Sequence, residues 1–172
     1  TNKEFQVKNS QKTFLIAEIA QAHEGSLGIA HSYIDALAKT GVDAIKFQTY
    51  TADTMTIKSD RDEFKIKGGL WDGFDLYSLY KWAETPYEWH KPLFDFAEDI
   101  GITILSTPFD KTAVDLLEDL NVQAYKIASF EITDIPLIEY AASKGKPMII
   151  STGIAEIEDI ELAIETCKKA GN

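Results

Sequence analysis

The sequence predicts an α/β protein of consecutive parallel strand–helix units, and three observations carry that expectation. Five short apolar segments, FLIAE, AIKFQ, ITILST, QAYKIAS and PMIIST, recur along the chain, each ahead of a helix-compatible stretch. Their apolar residues run on continuously instead of alternating, the pattern of strands buried on both faces. Each also ends on polar or charged residues: Glu18; Lys46 and Gln48; Ser106 and Thr107; Lys126 and Ser129; Ser151 and Thr152. In parallel α/β proteins the C-terminal strand ends share one rim, so residues far apart in sequence meet around one pocket. One carboxylate, two lysines and several hydroxyls suit a small, highly anionic substrate with acid/base chemistry beside it.

The elements follow in a regular order. A first strand is expected over about 13–19, then the loop AQAHEGS and a helix over about 27–39, apolar at Ile29, Tyr33, Ala36 and Leu37, with Gly41 placed to cap its end. The AIKF strand comes next. A second helix is expected over about 86–100, with Thr85 as N-cap and Pro86 at the first helical position, where its missing N–H costs nothing. Gly101 releases the chain into ITILST. Helices then begin near Asp110, run through PLIEYAASK, and cover about 156–170.

Strands and helices alternating at this spacing imply right-handed βαβ crossovers and a parallel sheet. A five-stranded doubly wound sheet is one solution, although no GxGxxG follows the first strand and no P-loop is present. The other is about five of the eight units of a TIM (β/α)8 barrel, whose usual length is roughly 250 residues. Polar residues at every strand end favour the barrel, because a doubly wound sheet concentrates its site at one switch point. Residues 1–172 are then expected to be the N-terminal portion of a barrel domain. A long connection between Thr51 and Thr85 interrupts the pattern, far exceeding the two to six residues usual for such a loop. Nine aromatic residues fall between Trp71 and Phe96, a density that requires burial or a partner. Tyr77, Tyr80 and Trp82 lie near helical spacing and read as packing residues; Trp71 and Asp72, beside Gly68, Gly69 and Gly73, are the candidates for a lid over the rim.

Composition excludes several classes. At 172 residues the chain can bury one real core. A formal net charge of −11 disfavours non-specific nucleic-acid binding and docking on anionic membranes. The single Cys167 allows no intramolecular disulfide and fits a reducing compartment. No apolar run approaches the roughly 20 residues of a membrane span, so a cytoplasmic location is expected.

The strings IAEIAQAHEGSLGIA, GVDAIKFQTY, LSTPFD, AVDLLEDL, AYKIASFE and KPMIISTGIA resemble the N-terminal part of the sialic acid synthase family, the phosphoenolpyruvate-dependent nonulosonic acid synthases. The insertion with LWDG and LYKWAETPYEWHKPLFDFA, and the later ASFEITD, is most similar to the pseudaminic acid synthase branch. The resemblance implies a (β/α)8 barrel followed by an antifreeze-like domain, with the later barrel units and that domain outside this chain. It implies a transferase of cell-surface carbohydrate biosynthesis that condenses phosphoenolpyruvate with an N-acetylated aminosugar and releases phosphate. By the same resemblance Lys46, Thr107, Lys126, Ser129 and Ser151 match positions that hold phosphoenolpyruvate, Gln48 lies beside the sugar, and Glu18 positions or deprotonates the attacking water. The family works as a homodimer and uses a divalent manganese or magnesium ion, with ligands outside this chain; no metal ligand is assigned here. The segment Ala22-His23-Glu24-Gly25 departs from the family's common Asn-His-Asn-Gly, leaving His23 as a rim candidate.

Each residue also has a plainer reading. A lysine beside an apolar strand commonly snorkels, a strand-end serine commonly caps a turn, and Glu18 alone reads as the buried partner of a lysine. Their coincidence at one end of successive strands favours function. His31 and His90 read as surface histidines, and the acidic residues from Glu156 to Glu165 as a solvated helix face. Two alternatives stay open: another phosphate-recognising barrel enzyme, including a Schiff-base aldolase using Lys126 beside Lys46, and a non-catalytic module that needs a partner.

Overall fold

The computed structural model describes residues 13–172. Five strands, β1 (Ile16–Glu18), β2 (Ala44–Thr49), β3 (Thr103–Pro108), β4 (Tyr125–Ile127) and β5 (Met148–Ile150), form one sheet in the order β1-β2-β3-β4-β5. Every pairing is parallel. A right-handed crossover repeated in one direction puts all the connecting helices on one face, so the sheet curls into a half-barrel and the other face becomes its inside. The doubly wound alternative would have placed a later strand beside β1.

The helices are α1 (Leu27–Ala38), α2 (Ala52–Met55), α3 (Leu76–Ala83), α4 (Tyr87–Ile100), α5 (Lys111–Asp119), α6 (Ile135–Ala142) and α7 (Ile157–Lys169). Ser26 caps α1, its hydroxyl accepting from the Ile29 N–H, and Asp110 caps α5 by accepting from the Thr112 and Ala113 N–H groups. Gly101 ends α4 in the left-handed region, at φ 75°, where a side chain would be strained. Two expected caps differ. Lys39, not Gly41, closes α1, and α4 starts one residue late, with Pro86 at the N-cap and no side-chain cap bond. Thr85 is unavailable for capping because its hydroxyl is engaged by His23.

Two apolar clusters hold the helices to the sheet. Ile45, Phe47 and Ile104 pack with Ile34 of α1 and Leu93 of α4. Tyr125 and Ile127 pack with Val114 and Leu117 of α5 and with Leu137 and Ile138 of α6. Each such aliphatic side chain contributes about 1.5–3 kcal/mol by leaving water, which fixes strand register and hence the alignment of strand ends.

The connection from 51 to 85 forms α2, a short 3₁₀ turn (Asp62–Phe64), an antiparallel bridge between Lys65 and Asp75, and α3. Tyr80 meets Tyr50 edge-on at 5.9 Å, and the Glu84 carboxylate accepts from the Ala52 N–H, fastening the insertion over the end of β2. Tyr80 packs as expected, whereas the Tyr77 hydroxyl donates to Asp53 and Trp82 keeps 46% exposure. The lid candidates serve the insertion itself: Trp71 packs on Phe74 and Trp82, and Asp72 accepts from the Gly68 N–H.

His90 corrects a sequence expectation. It shares a helix face with Leu93 and Ala97, is 1% exposed, and binds Thr49 on β2. His31 is half-buried against the Phe96 ring.

Candidate active site

Register decides which strand-end side chains share a face. Glu18 stands opposite Lys46, Gln48 opposite Thr107, and Lys126 opposite Ile149. Side chains alternate along a strand, so Lys46 and Gln48 point to the inner face while Phe47 and Thr49 point to the helices. Glu18 and Lys46 form an ion pair, and the Lys46 ammonium also donates to Thr107 Oγ1 at 3.3 Å. On the neighbouring strands the Lys126 ammonium donates to Ser151 Oγ at 2.5 Å and to the Ile127 carbonyl at 2.7 Å. Burial, and then the charge of Lys46, lower the pKa of Lys126, opposed by Glu18 and Glu131. The two ammonium groups thus feel each other across three strands, although 80 positions separate them in sequence.

Ser129 sits at the N-cap position of the 3₁₀ turn Phe130–Thr133 but makes no side-chain cap bond. A Cβ built on Gly153 would lie 3.1 Å from Ser129 Oγ, so the turn after β4 and the loop after β5 approach closely at this hydroxyl. Ser151 is likewise no cap, being bound to Lys126. The capping explanation for these two serines therefore fails. Gln48 shares the inner face with Lys46. Ser106 does not: it is fully buried on the helix side and hydrogen-bonds Thr49 at 2.7 Å. Its position one residue before Thr107 puts it on the wrong face.

One carboxylate was missed. Glu131, in the turn after Ser129, is half-buried, and its Oε2 has no hydrogen-bond partner. Burial raises its pKa, Asp134 adds to that, and Lys126 opposes it. Sequence reading passed over it because a 3₁₀ turn, unlike a strand end, has no periodicity that aims a side chain. His23, expected at the rim, lies fully buried beneath it.

The arrangement offers two ammonium groups and three hydroxyls to an anion, with carboxylates on either side to manage protons. Among the described residues no group of three or more His, Cys, Asp or Glu could hold a metal ion, so these side chains by themselves do not fit a divalent cation. A hollow of about 740 Å³ lies elsewhere, lined by Lys91, Phe94, Thr103, Asn121 and Gln123 at the opposite end of β3. The chemistry-bearing side chains share the inner face of the sheet.

Comparison with known proteins gives the family and the fold. The NeuB family profile matches residues 33–172. A pseudaminic acid synthase of Campylobacter jejuni is 48% identical over 162 residues, covering 94% of this chain and 47% of that protein. The pseudaminic acid synthase of Helicobacter pylori is 45% identical, covering 92% and 46%. In a crystal structure, the N-acetylneuraminic acid synthetase of Leptospira borgpetersenii in complex with citrate superposes with a TM-score of 0.79 at 31% identity, covering 92% of this chain and 51% of that one. The chain spans about half the length of the curated relatives it matches.

Proposed function

The chain belongs to the NeuB family, and from that premise we propose that it supplies the phosphoenolpyruvate-binding half of a nonulosonic acid synthase of the pseudaminic acid type. One observation carries the reading: Lys46 of β2 and Lys126 of β4 converge on one face with Thr107 and Ser151, beside Glu18. Phosphoenolpyruvate carries about three negative charges on few atoms, which two ammonium groups neutralise and hydroxyls orient. Without ligand, Glu18 neutralises Lys46. An arriving phosphate competes for that ammonium and frees the Glu18 carboxylate for a water molecule.

In the reaction, the phosphoenolpyruvate methylene carbon bonds to the aldehyde carbon of an open-chain N-acetylated aminosugar. Water adds to the enolpyruvyl carbon, and the C–O bond to phosphate breaks. Glu18 positions that water or accepts its proton, and Gln48 lies toward the sugar. Lys46, Lys126, Thr107, Ser129 and Ser151 hold the leaving phosphate and the carboxylate with donors already in place. Glu131, whose pKa burial raises, is a second carboxylate at the same rim. A divalent manganese or magnesium ion belongs to the reading, held by residues other than those described; when bound it would polarise the sugar aldehyde. The same reading makes the intact enzyme a cytoplasmic homodimer. Among the described residues no helix is long and apolar enough to cross a membrane.

The test is phosphate release by the full-length protein from phosphoenolpyruvate, with a divalent metal and a panel of N-acetylated aminosugars. Release with one aminosugar, and a product mass equal to their sum plus water minus phosphate, is expected. No release, and no binding of phosphoenolpyruvate, refutes the proposal. The lowered pKa of Lys126 beside a second cation also favours a Schiff-base aldolase. Trapping of a keto substrate on Lys126 by borohydride would select it.

A further inference from the structure

We infer that His23 is a positioning residue: carrying its proton on Nε2, it clamps the loop that follows Glu18 to the end of the 51–85 insertion and so holds the reactive end of β1. The loop between β1 and α1 is strained. Ala20, Glu24 and Gly25 all occupy the left-handed region, at φ 46°, 50° and 69°. Two of these carry a Cβ, which crowds the backbone there, and such backbone persists only where its surroundings over-determine it.

His23 provides that determination. It is fully buried, its Nδ1 accepts from the Gly25 N–H at 3.2 Å, and its Nε2 lies 3.2 Å from Thr85 Oγ1. An accepting Nδ1 places the only proton of the neutral ring on Nε2, which therefore donates to Thr85. The ring also meets Trp89 of α4 edge-on at 5.7 Å, and its carbonyl accepts from the N–H of Ser26, the residue that caps α1. Next to Thr85, Glu84 holds the Ala52 N–H, so the far end of the clamp is tied to the segment after β2.

Glu24 adjoins His23 on its own loop, and the segment packed against the ring through Thr85 and Trp89 carries Glu84, Glu88 and His90. Glu84 is occupied by Ala52 and Lys81, and His90 donates from Nδ1 to the Pro86 carbonyl. Burial lowers the His23 pKa. A second proton would sit on Nδ1, facing the Gly25 N–H, and would break the clamp.

The functional consequence rests on the reading of Glu18 as a group that acts in chemistry. In the full-length protein, long-range ¹H–¹⁵N correlations of the His23 ring should show the Nε2–H tautomer; the Nδ1–H form or an averaged, solvent-like pattern overturns the clamp. His23→Asn keeps an acceptor for Gly25 but cannot reach Thr85, whereas His23→Gln keeps an N–H at the Nε2 position. Turnover should fall about tenfold to a hundredfold in the Asn variant, with the KM for phosphoenolpyruvate within about threefold, and should be largely restored in the Gln variant. Equal turnover in the two variants, high or low, overturns the inference. Glu18→Gln measured in parallel separates the two ideas: normal turnover there removes the chemical role of Glu18 and leaves the tautomer result to judge the clamp alone.

Discussion

Lys126→Met is the most discriminating single change at the rim. It removes the ammonium group and keeps most of the aliphatic stem. A charge-assisted contact to a buried anion contributes about 1.5–3 kcal/mol, so phosphoenolpyruvate affinity should fall about tenfold to 150-fold. Stability should move the other way or stay level. The folded-state pKa of Lys126 lies below its unfolded value because of burial and Lys46, so the charged form costs folding free energy that the methionine does not. The Ile127 carbonyl still accepts from the Ser151 N–H, which leaves no orphaned backbone acceptor. Calorimetric titration of the full-length protein with phosphoenolpyruvate, beside a thermal melt, reads both quantities. As pH rises through the lowered pKa, Lys126 loses its charge, so wild-type affinity should fall at a lower pH than for an ordinary lysine. That component should vanish in the variant. An affinity within about twofold of wild type, or parallel losses of affinity and melting temperature, would refute the anion-site reasoning and make Lys126 a structural residue.

Glu18→Gln retains size and most hydrogen bonding while removing the charge that pairs with Lys46; turnover should fall roughly 10²- to 10⁴-fold with little change in phosphoenolpyruvate affinity, and steady-state kinetics showing near-normal turnover would leave Glu18 a structural partner. Acid should destabilise the fold through His90, whose pKa burial pulls down to about 4. Because that lies below the unfolded value, the stabilisation is complete above about pH 6.5 and is lost as pH falls from about 6.5 through about 4, amounting to about 3 kcal/mol. Urea unfolding at several pH values should show this loss in the wild type and a shallower one in His90→Gln; identical slopes would disprove it.

Much of this was legible in the sequence because it depends on local chemistry. Continuous apolar runs announced strands buried on both faces, and the polar residues that end them announced the rim. Glu18, Lys46, Thr107, Lys126 and Ser151 were found that way, and they meet in two linked clusters. Ser106 was misplaced because a segment reading cannot tell which of two adjacent strand residues faces inward; that is set by register and core packing, here by Thr49 and His90. The Thr85 cap failed for a related reason, since a tertiary partner, His23, claimed its hydroxyl.

What the sequence determined by itself was the kind of fold, the order of its units and most of the chemical groups at the rim, because period, caps and composition act over a few residues. The tertiary structure alone decided how those groups are partnered. It paired Glu18 with Lys46, left Glu131 Oε2 without a hydrogen bond, and turned His23 and His90 from expected rim and surface positions into buried fasteners. The physical reason is that charge pairing and burial depend on distances between segments tens of residues apart. Those distances are set by helix-on-sheet packing, to which local patterns contribute only the surfaces.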